Sequence, residues 1–150
     1  MSDIATVWVP DLSTGDWQQA GAALLAGNDL ASAVLISLFT DRVAARDDAL
    51  PDDSDDPRGW WGDLDQDVKI GSRLWLLSRA KADAQTLNRA RTYIREALDW
   101  LIQDGVVASF DISVSYQQPG FMAAQIIARM PDAQAITLQY AWVWRSLNAV

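Results

Sequence analysis

Apolar and polar positions along this chain change period from segment to segment, and the longest regular segment begins at Asp83. Leu87, Ala90, Ile94, Ala97, Leu98 and Leu101 recur at helical spacing, while Arg89, Arg91, Arg95 and Glu96 point elsewhere. Asp83 is suited to cap this helix, and Gly105, after Asp104, to stop it in left-handed backbone. The period then becomes two. Val107, Ser109, Asp111, Ser113 and Ser115 alternate with Ala108, Phe110, Ile112, Val114 and Tyr116, as in a strand with one wet face and one dry face. Gln117-Gln118-Pro119-Gly120 closes that strand and Phe121 to Ala128 reads as the next. Met130 to Ala133 breaks the pattern before Ala135 to Val143, so the chain finishes as a three-stranded antiparallel meander.

In the amino-terminal half, Ile4 to Val9 is rich in β-branched and aromatic residues and ends at Pro10. Asp11 to Gly15 supplies turn chemistry before a second candidate strand, Asp16 to Ala20, which gives a hairpin. Asn28 or Asp29 can cap a helix carrying Leu30, Val34, Leu35 and Leu38 and ending near Thr40 or Asp41. Ile70 to Ser78 reads as a further short helix bearing Leu74, Trp75 and Leu77. The expected fold class is α+β, in one domain over residues 1–150. It is a two-layer sandwich with an amino-terminal hairpin, two main helices and the carboxy-terminal meander.

Between Val43 and Val68 the periodicity is lost. Six aspartates between Asp47 and Asp56 crowd around Pro51 and Pro57, too polar and mutually repulsive to pack inside, so this is a long acidic surface loop. Loops of that length in compact domains tend to be functional or disordered. At its centre stands Asp55-Asp56-Pro57-Arg58-Gly59-Trp60-Trp61-Gly62-Asp63. Paired tryptophans offer wide rigid contact area to a partner protein, yet they could equally fold back as a lid over the chain's own core. Both readings remain open at this level.

Composition removes several chemistries. In 150 residues there is no cysteine and no histidine, which excludes disulfides, thiolate nucleophiles, cysteine-ligated zinc and Ser-His-Asp catalysis within this chain. Half the residues are hydrophobic and eight are tryptophan, enough for a core with aromatic area left over for contacts. A net charge of −8 works against binding a phosphate backbone, so nucleic acid is not an expected partner. The first residues lack the basic flank and apolar core of a signal peptide. No apolar run approaches the about eighteen residues of a membrane span. The expectation is a soluble, unexported chain.

Asp63-Leu64-Asp65-Gln66-Asp67 has the alternating acids of a calcium loop, but Val68 and Leu74 stand where that loop needs glycine and a bidentate glutamate. No metal or cofactor is expected, and the acids read as a solvated face. Abundant carboxylates leave a lysozyme-like, carboxylate-dependent cell-wall glycan hydrolase as the competing function, although most acids lie in a polar loop and Asp99, beside Trp100 on the long helix, is a rare exception better suited to face solvent. A free acidic adaptor is a third alternative.

Four blocks in order, Leu35 to Arg42, Arg58 to Asp63, Ile70 to Leu77 and Ala97 to Leu101, resemble the Mu-like phage tail baseplate protein family, over about Ile4 to Val114. That family is similar in layout to the sheath initiator, the small baseplate wedge protein of T-even contractile-tailed phages. The resemblance implies a non-enzymatic virion component in the tail baseplate of a phage, prophage or tailocin, assembled in the host cytoplasm. It implies larger baseplate wedge proteins and the tail sheath protein as partners, with tail hub or tube proteins as further candidates and about six copies around the hub. In the sheath initiator a Glu-Pro-Arg motif docks on a helical bundle of the wedge. Asp56, Pro57 and Arg58 match it, with aspartate for glutamate, and Trp60 and Trp61 flank the arginine. The carboxy-terminal sheet of such proteins meets the first sheath ring by strand addition, which singles out the last strand with Tyr140, Trp142 and Trp144. Packing within the chain is the alternative for those aromatics, and the sequence departs most from the family pattern after Pro119.

Overall fold

The computed structural model describes residues 6–12, 14–17, 19–20, 23–24 and 29–143. Strands β1 (Thr6–Val9) and β2 (Thr14–Trp17) form the amino-terminal hairpin, with Trp8 opposite Gly15 and a 3-10 turn at Pro10–Leu12. The second strand stops sooner than Ala20, because Gln19–Ala20 (β3) pairs instead with Ala23–Leu24 (β4) in a separate short ladder. Ile4 and Asn28, an expected strand residue and an expected cap, lie outside the described residues. Helix α1 runs Asp29–Phe39 and buries Leu30, Val34, Leu35 and Leu38, the positions its spacing indicated.

Helix α2 (Ala84–Gln103) has the boundaries its caps dictate. Asp83 is extended at φ −131° and its carboxylate accepts the Thr86 N–H at 2.8 Å. At the other end Gly105 sits at φ 75°, and the Gly105 and Val106 amides donate to the Ile102 and Leu101 carbonyls, each at 3.0 Å. That double bond pattern satisfies carbonyls a helix otherwise leaves open.

Strands β5 (Ser109–Gln118), β6 (Phe121–Arg129) and β7 (Ala135–Val143) form the antiparallel sheet, in that spatial order. Val114 faces Ala124, Ile126 faces Ile112 and Leu138, and a register shift falls between Tyr116 and Gln118, just before the Pro119-Gly120 turn. The inner face carries Val114, Met122, Ala124, Ile126, Ala128, Tyr140 and Trp142. These share one core with Val34 and Leu38 of α1 and Ile94, Leu98 and Leu101 of α2. Phe39 links helix to sheet: Trp8 stacks on it at 3.5 Å, and Tyr140 and Trp142 meet it edge-on at 5.9 and 5.8 Å.

The two sheet edges differ. Along β7, Pro10–Leu12 packs against the strand and the Trp8 indole N–H donates to the Ala141 carbonyl. The outer edge of β5 has no strand partner among the described residues.

The helix expected over Ile70 to Ser78 is reduced to one 3-10 turn, Leu74–Leu77. Gly71, at φ 92°, brings its Cα so close to the first connection that a Cβ would lie 2.3 Å from the Thr40 carbonyl oxygen. Ser72 then pairs with Asp41 in an isolated parallel bridge: its N–H donates to Thr40 O at 2.9 Å and its carbonyl accepts Arg42 N–H at 3.0 Å. Residues held extended by that bridge cannot also form the first turn of a helix.

Candidate docking site

The loop from Asp41 to Arg73 is held by ion pairs beside the packing of Ala44 and Leu50 against the core. Arg73 lies across its base with a forked hydrogen-bond pattern. One nitrogen donates to both Asp48 carboxylate oxygens at 3.1 and 3.0 Å, and Nε and Nη2 donate to Glu96 Oε2 at 3.1 and 2.9 Å. Its guanidinium also stacks over Tyr93 at 4.6 Å, and Arg42 Nε reaches Glu96 Oε1 at 3.4 Å. Burial works against the Arg73 charge, but the bonds to Asp48 and Glu96 outweigh it and its pKa is raised. Asp48, one of the crowded aspartates, is thereby tied through Arg73 to Glu96 on α2.

Arg58 sits further out on the same frame. Its backbone is left-handed at φ 54°, and its N–H donates to Asp56 Oδ1 at 2.9 Å. The preceding Pro57 carbonyl accepts Ala44 N–H at 2.8 Å. Gly59 follows at φ 105°, where a Cβ would lie 2.9 Å from Val43 Cβ, so glycine is required for the strand-like approach of the two loop arms. The Arg58 guanidinium rests 4.4 Å above the Trp75 ring and donates from Nη1 to Asp41 Oδ2 at 2.8 Å. Asp52 stands 4.0 Å from Nη2, its carboxyl held below the usual range mainly by the Ser54 hydroxyl and amide. Trp75 is itself fixed, buried and donating its indole N–H to Arg42 O at 2.8 Å. One edge of the Arg58 guanidinium is therefore engaged, and the Nε edge bonds to nothing among the described residues.

Trp60 and Trp61 are exposed, at 45% and 78%. Their rings are tilted against each other with centroids 5.3 Å apart. Trp60 folds over Gly62, where a Cβ would fall 2.2 Å from the ring. Neither tryptophan covers the core, so the lid geometry is not the one this chain adopts. Asp63, just beyond, is buried and accepts Ile70 N–H at 3.0 Å, which turns the loop back toward α2.

The carboxy-terminal aromatics are placed differently. Tyr140 and Trp142, expected on a partner-facing strand, each retain 8% exposure and belong to the chain's own core around Phe39. The even positions of β7 point inward because the register sets them opposite the buried Ala124 and Met122. The outer margin of this strand is itself taken up by Pro10–Leu12 and Trp8, so neither these rings nor that edge is presented to a partner. Trp144 lies outside the described residues. Asp56, Pro57, Arg58, Trp60 and Trp61 share one exposed stretch of the loop. Sequence reasoning missed Asp41 and Trp75, the two groups that hold Arg58, since neither is near it in the chain. Among the described residues no cluster of three or more acids is placed to hold a metal, and no helix is long and apolar enough to cross a membrane.

Comparison with known proteins gives this corner its setting. The chain is 45% identical over 140 residues to the baseplate protein gp46 of Escherichia phage Mu, covering 93% of this chain and 95% of that one. It is 38% identical over 134 residues to the Mu-like prophage FluMu protein gp46 of Haemophilus influenzae, covering 88% and 90%. Fold and likeness together define a structural protein of the phage tail baseplate. The family described as phage protein GP46 matches residues 30–135, and the chain belongs to that Mu-like baseplate family. The matched span includes Asp41, Arg58, Trp60, Trp61 and Trp75 and stops short of Tyr140 and Trp142.

Proposed function

We propose that the protein is a wedge subunit of a contractile-tail baseplate that joins the wedge helical bundle to the first sheath ring and sets where sheath assembly begins. Asp56, Pro57 and Arg58 make the wedge contact, with Trp60 and Trp61 as flanking anchors. The observation that carries this reading is the Arg58 guanidinium, seated on Trp75 and clipped to Asp41, with no hydrogen bond from its Nε among the described residues. A planar cation held in that way accepts a carboxylate or the carbonyl end of a partner helix without reordering its own side chain, which lowers the entropic cost of docking.

The sheath contact uses the meander. β5 has no neighbouring strand on its outer edge among the described residues, and strand addition there binds a sheath arm through backbone hydrogen bonds. About six copies arranged around the hub would give the first sheath ring its positions. The protein works by binding and does not turn over a substrate.

Tails assembled with Arg58→Ala test the reading. The expected result is baseplates without polymerised sheath, from a chain that still folds. Fully sheathed tails from that variant, or release of glycan fragments from peptidoglycan by the purified chain, would overturn it.

A further inference from the structure

A second surface, away from Arg58, has the shape and chemistry of a helix-binding groove. It lies between α1 and α2, is closed on one side by residues 68–70, and encloses about 550 Å³. Ala33, Ile36, Val68, Ile70 and Trp100 give it an apolar lining. Ile36, Val68 and Trp100 are 45%, 61% and 36% exposed and stand together here, apolar area left in contact with water. The floor is already set: the Trp100 indole N–H donates to Ser37 Oγ at 3.0 Å, and that hydroxyl donates to the Ala33 carbonyl at 2.7 Å. Past Trp100 the depression continues along α2 for about a further 430 Å³, with Val68, Lys69 and Gln103 lining both parts.

Charge on the rim identifies the occupant. Asp29 and Asp104 border the first part and Asp67 and Asp99 the second, against Lys69 and Arg95. Arg42 and Glu96, also on this rim, face each other at 3.4 Å and offset one another. The Lys69 ammonium is turned to the Asp63 carbonyl. An apolar trough between two helices, with an acidic border, complements an amphipathic helix whose apolar stripe is flanked by lysine or arginine.

We propose that this groove receives a basic amphipathic α-helix from a neighbouring baseplate subunit, which lies on α1 and α2 as a third helix. The proposal rests on the baseplate placement but not on the role of Arg58. A second copy of the chain is a poor occupant, because it brings the same acidic border and a net charge of −8.

A photo-crosslinking amino acid at Ile36 and, separately, at Val68, irradiated in assembled tails, tests it, with the attached segment sequenced by mass spectrometry. The expected partner segment has apolar residues at three- and four-residue intervals with lysine or arginine beside them, and comes from another baseplate protein. Crosslinks to a second copy, to an acidic or strand-like segment, or to nothing although the chain is present in the tails, overturn the groove proposal alone. A chain absent from the tails overturns this proposal and the wedge reading together. Ile36→Glu and Val68→Glu should each lower incorporation into tails by at least about tenfold, with thermal stability kept, since both side chains are already exposed. Asp29→Lys with Asp104→Lys should lower it as well, whereas Asp47→Lys, in the loop, should not. Full incorporation of both glutamate variants refutes the proposal.

Discussion

Replacing Arg58 separates what the side chain does for folding from what it does for docking. In the free chain it pairs with Asp41 at 2.8 Å and loosely with Asp52 at 4.0 Å, all three side chains being more than a third exposed, and such pairs contribute about 0.2–1 kcal/mol each. Its contact over Trp75 adds about 0.5–2 kcal/mol. Arg58→Ala should therefore cost about 1–2 kcal/mol, a fall in Tm of about 2–8 °C for a domain of this size. The residue also sits at φ 54°, where any side chain costs about 1 kcal/mol that glycine does not. Arg58→Gly should thus be more stable than Arg58→Ala by about 1 kcal/mol despite having no side chain at all. Docking responds in the opposite sense to glycine. If Arg58 is the anchor, both variants lose about 2 kcal/mol or more of binding, at least about thirtyfold. Arg58→Lys, which keeps the charge but not the planar fork, falls between. Urea unfolding of the three purified variants, alongside capture of the co-expressed wedge proteins, gives both quantities. Equal stability for the alanine and glycine variants would remove the backbone part of this reasoning. Unimpaired capture by either would remove the docking part.

Other substitutions probe the frame. Arg73→Ala leaves Asp48 and Glu96 without their shared cation, and should cost about 2–3 kcal/mol in urea unfolding while making the loop a preferred site of limited proteolysis. Gly71→Ala sets a Cβ 2.3 Å from a backbone oxygen at φ 92° and should cost about 3 kcal/mol or more. Gly105→Ala, with open space around it, should cost only about 1 kcal/mol, a contrast readable by thermal melts. Burial pushes the Tyr140 hydroxyl up to about 12 from an ordinary 10.0. A raised folded pKa gives stability that is complete below the unfolded value and lost as pH rises from about 10 to about 12. Tyr140→Phe should flatten that alkaline limb in a pH series of melts. Asp83 behaves in the mirror sense: the Thr86 amide holds its carboxyl below the usual range, so its capping contribution is present above that range and lost as pH falls through it. Asp83→Asn, which still caps, should lose less α2 ellipticity on acidification.

Features governed by near neighbours in the chain could be read without the structure. The alternation from Ser109 to Tyr116 fixes a wet and a dry face because the strand period is two. The ends of α2 follow from Asp83 and Gly105 because capping is a matter of three or four residues. Distant partners could not be read. The helix expected over Ile70 to Ser78 gave way to a bridge with Asp41, which lies 31 positions before Ser72. Arg73 finds Asp48 and Glu96 at separations of 25 and 23 residues, so one member of an aspartate run that looks self-repelling is paired from outside the run. The corner around Arg58 was visible as composition, an arginine between aspartates and tryptophans. What holds it, Trp75 and Asp41, was not. Tyr140 and Trp142 show the limit most clearly, since aromatic content alone does not say which side of a strand faces in.

The asymmetry of the meander's two borders gives the assembly a direction. Trp8 and the Pro10–Leu12 turn plug one margin and no strand covers the other among the described residues, so the proposed strand addition would have a single flank to use. In the proposed wedge role, a ring of such molecules would act as a one-way ratchet for growth: it would begin a stack on one flank and give a wrongly oriented neighbour nowhere to attach.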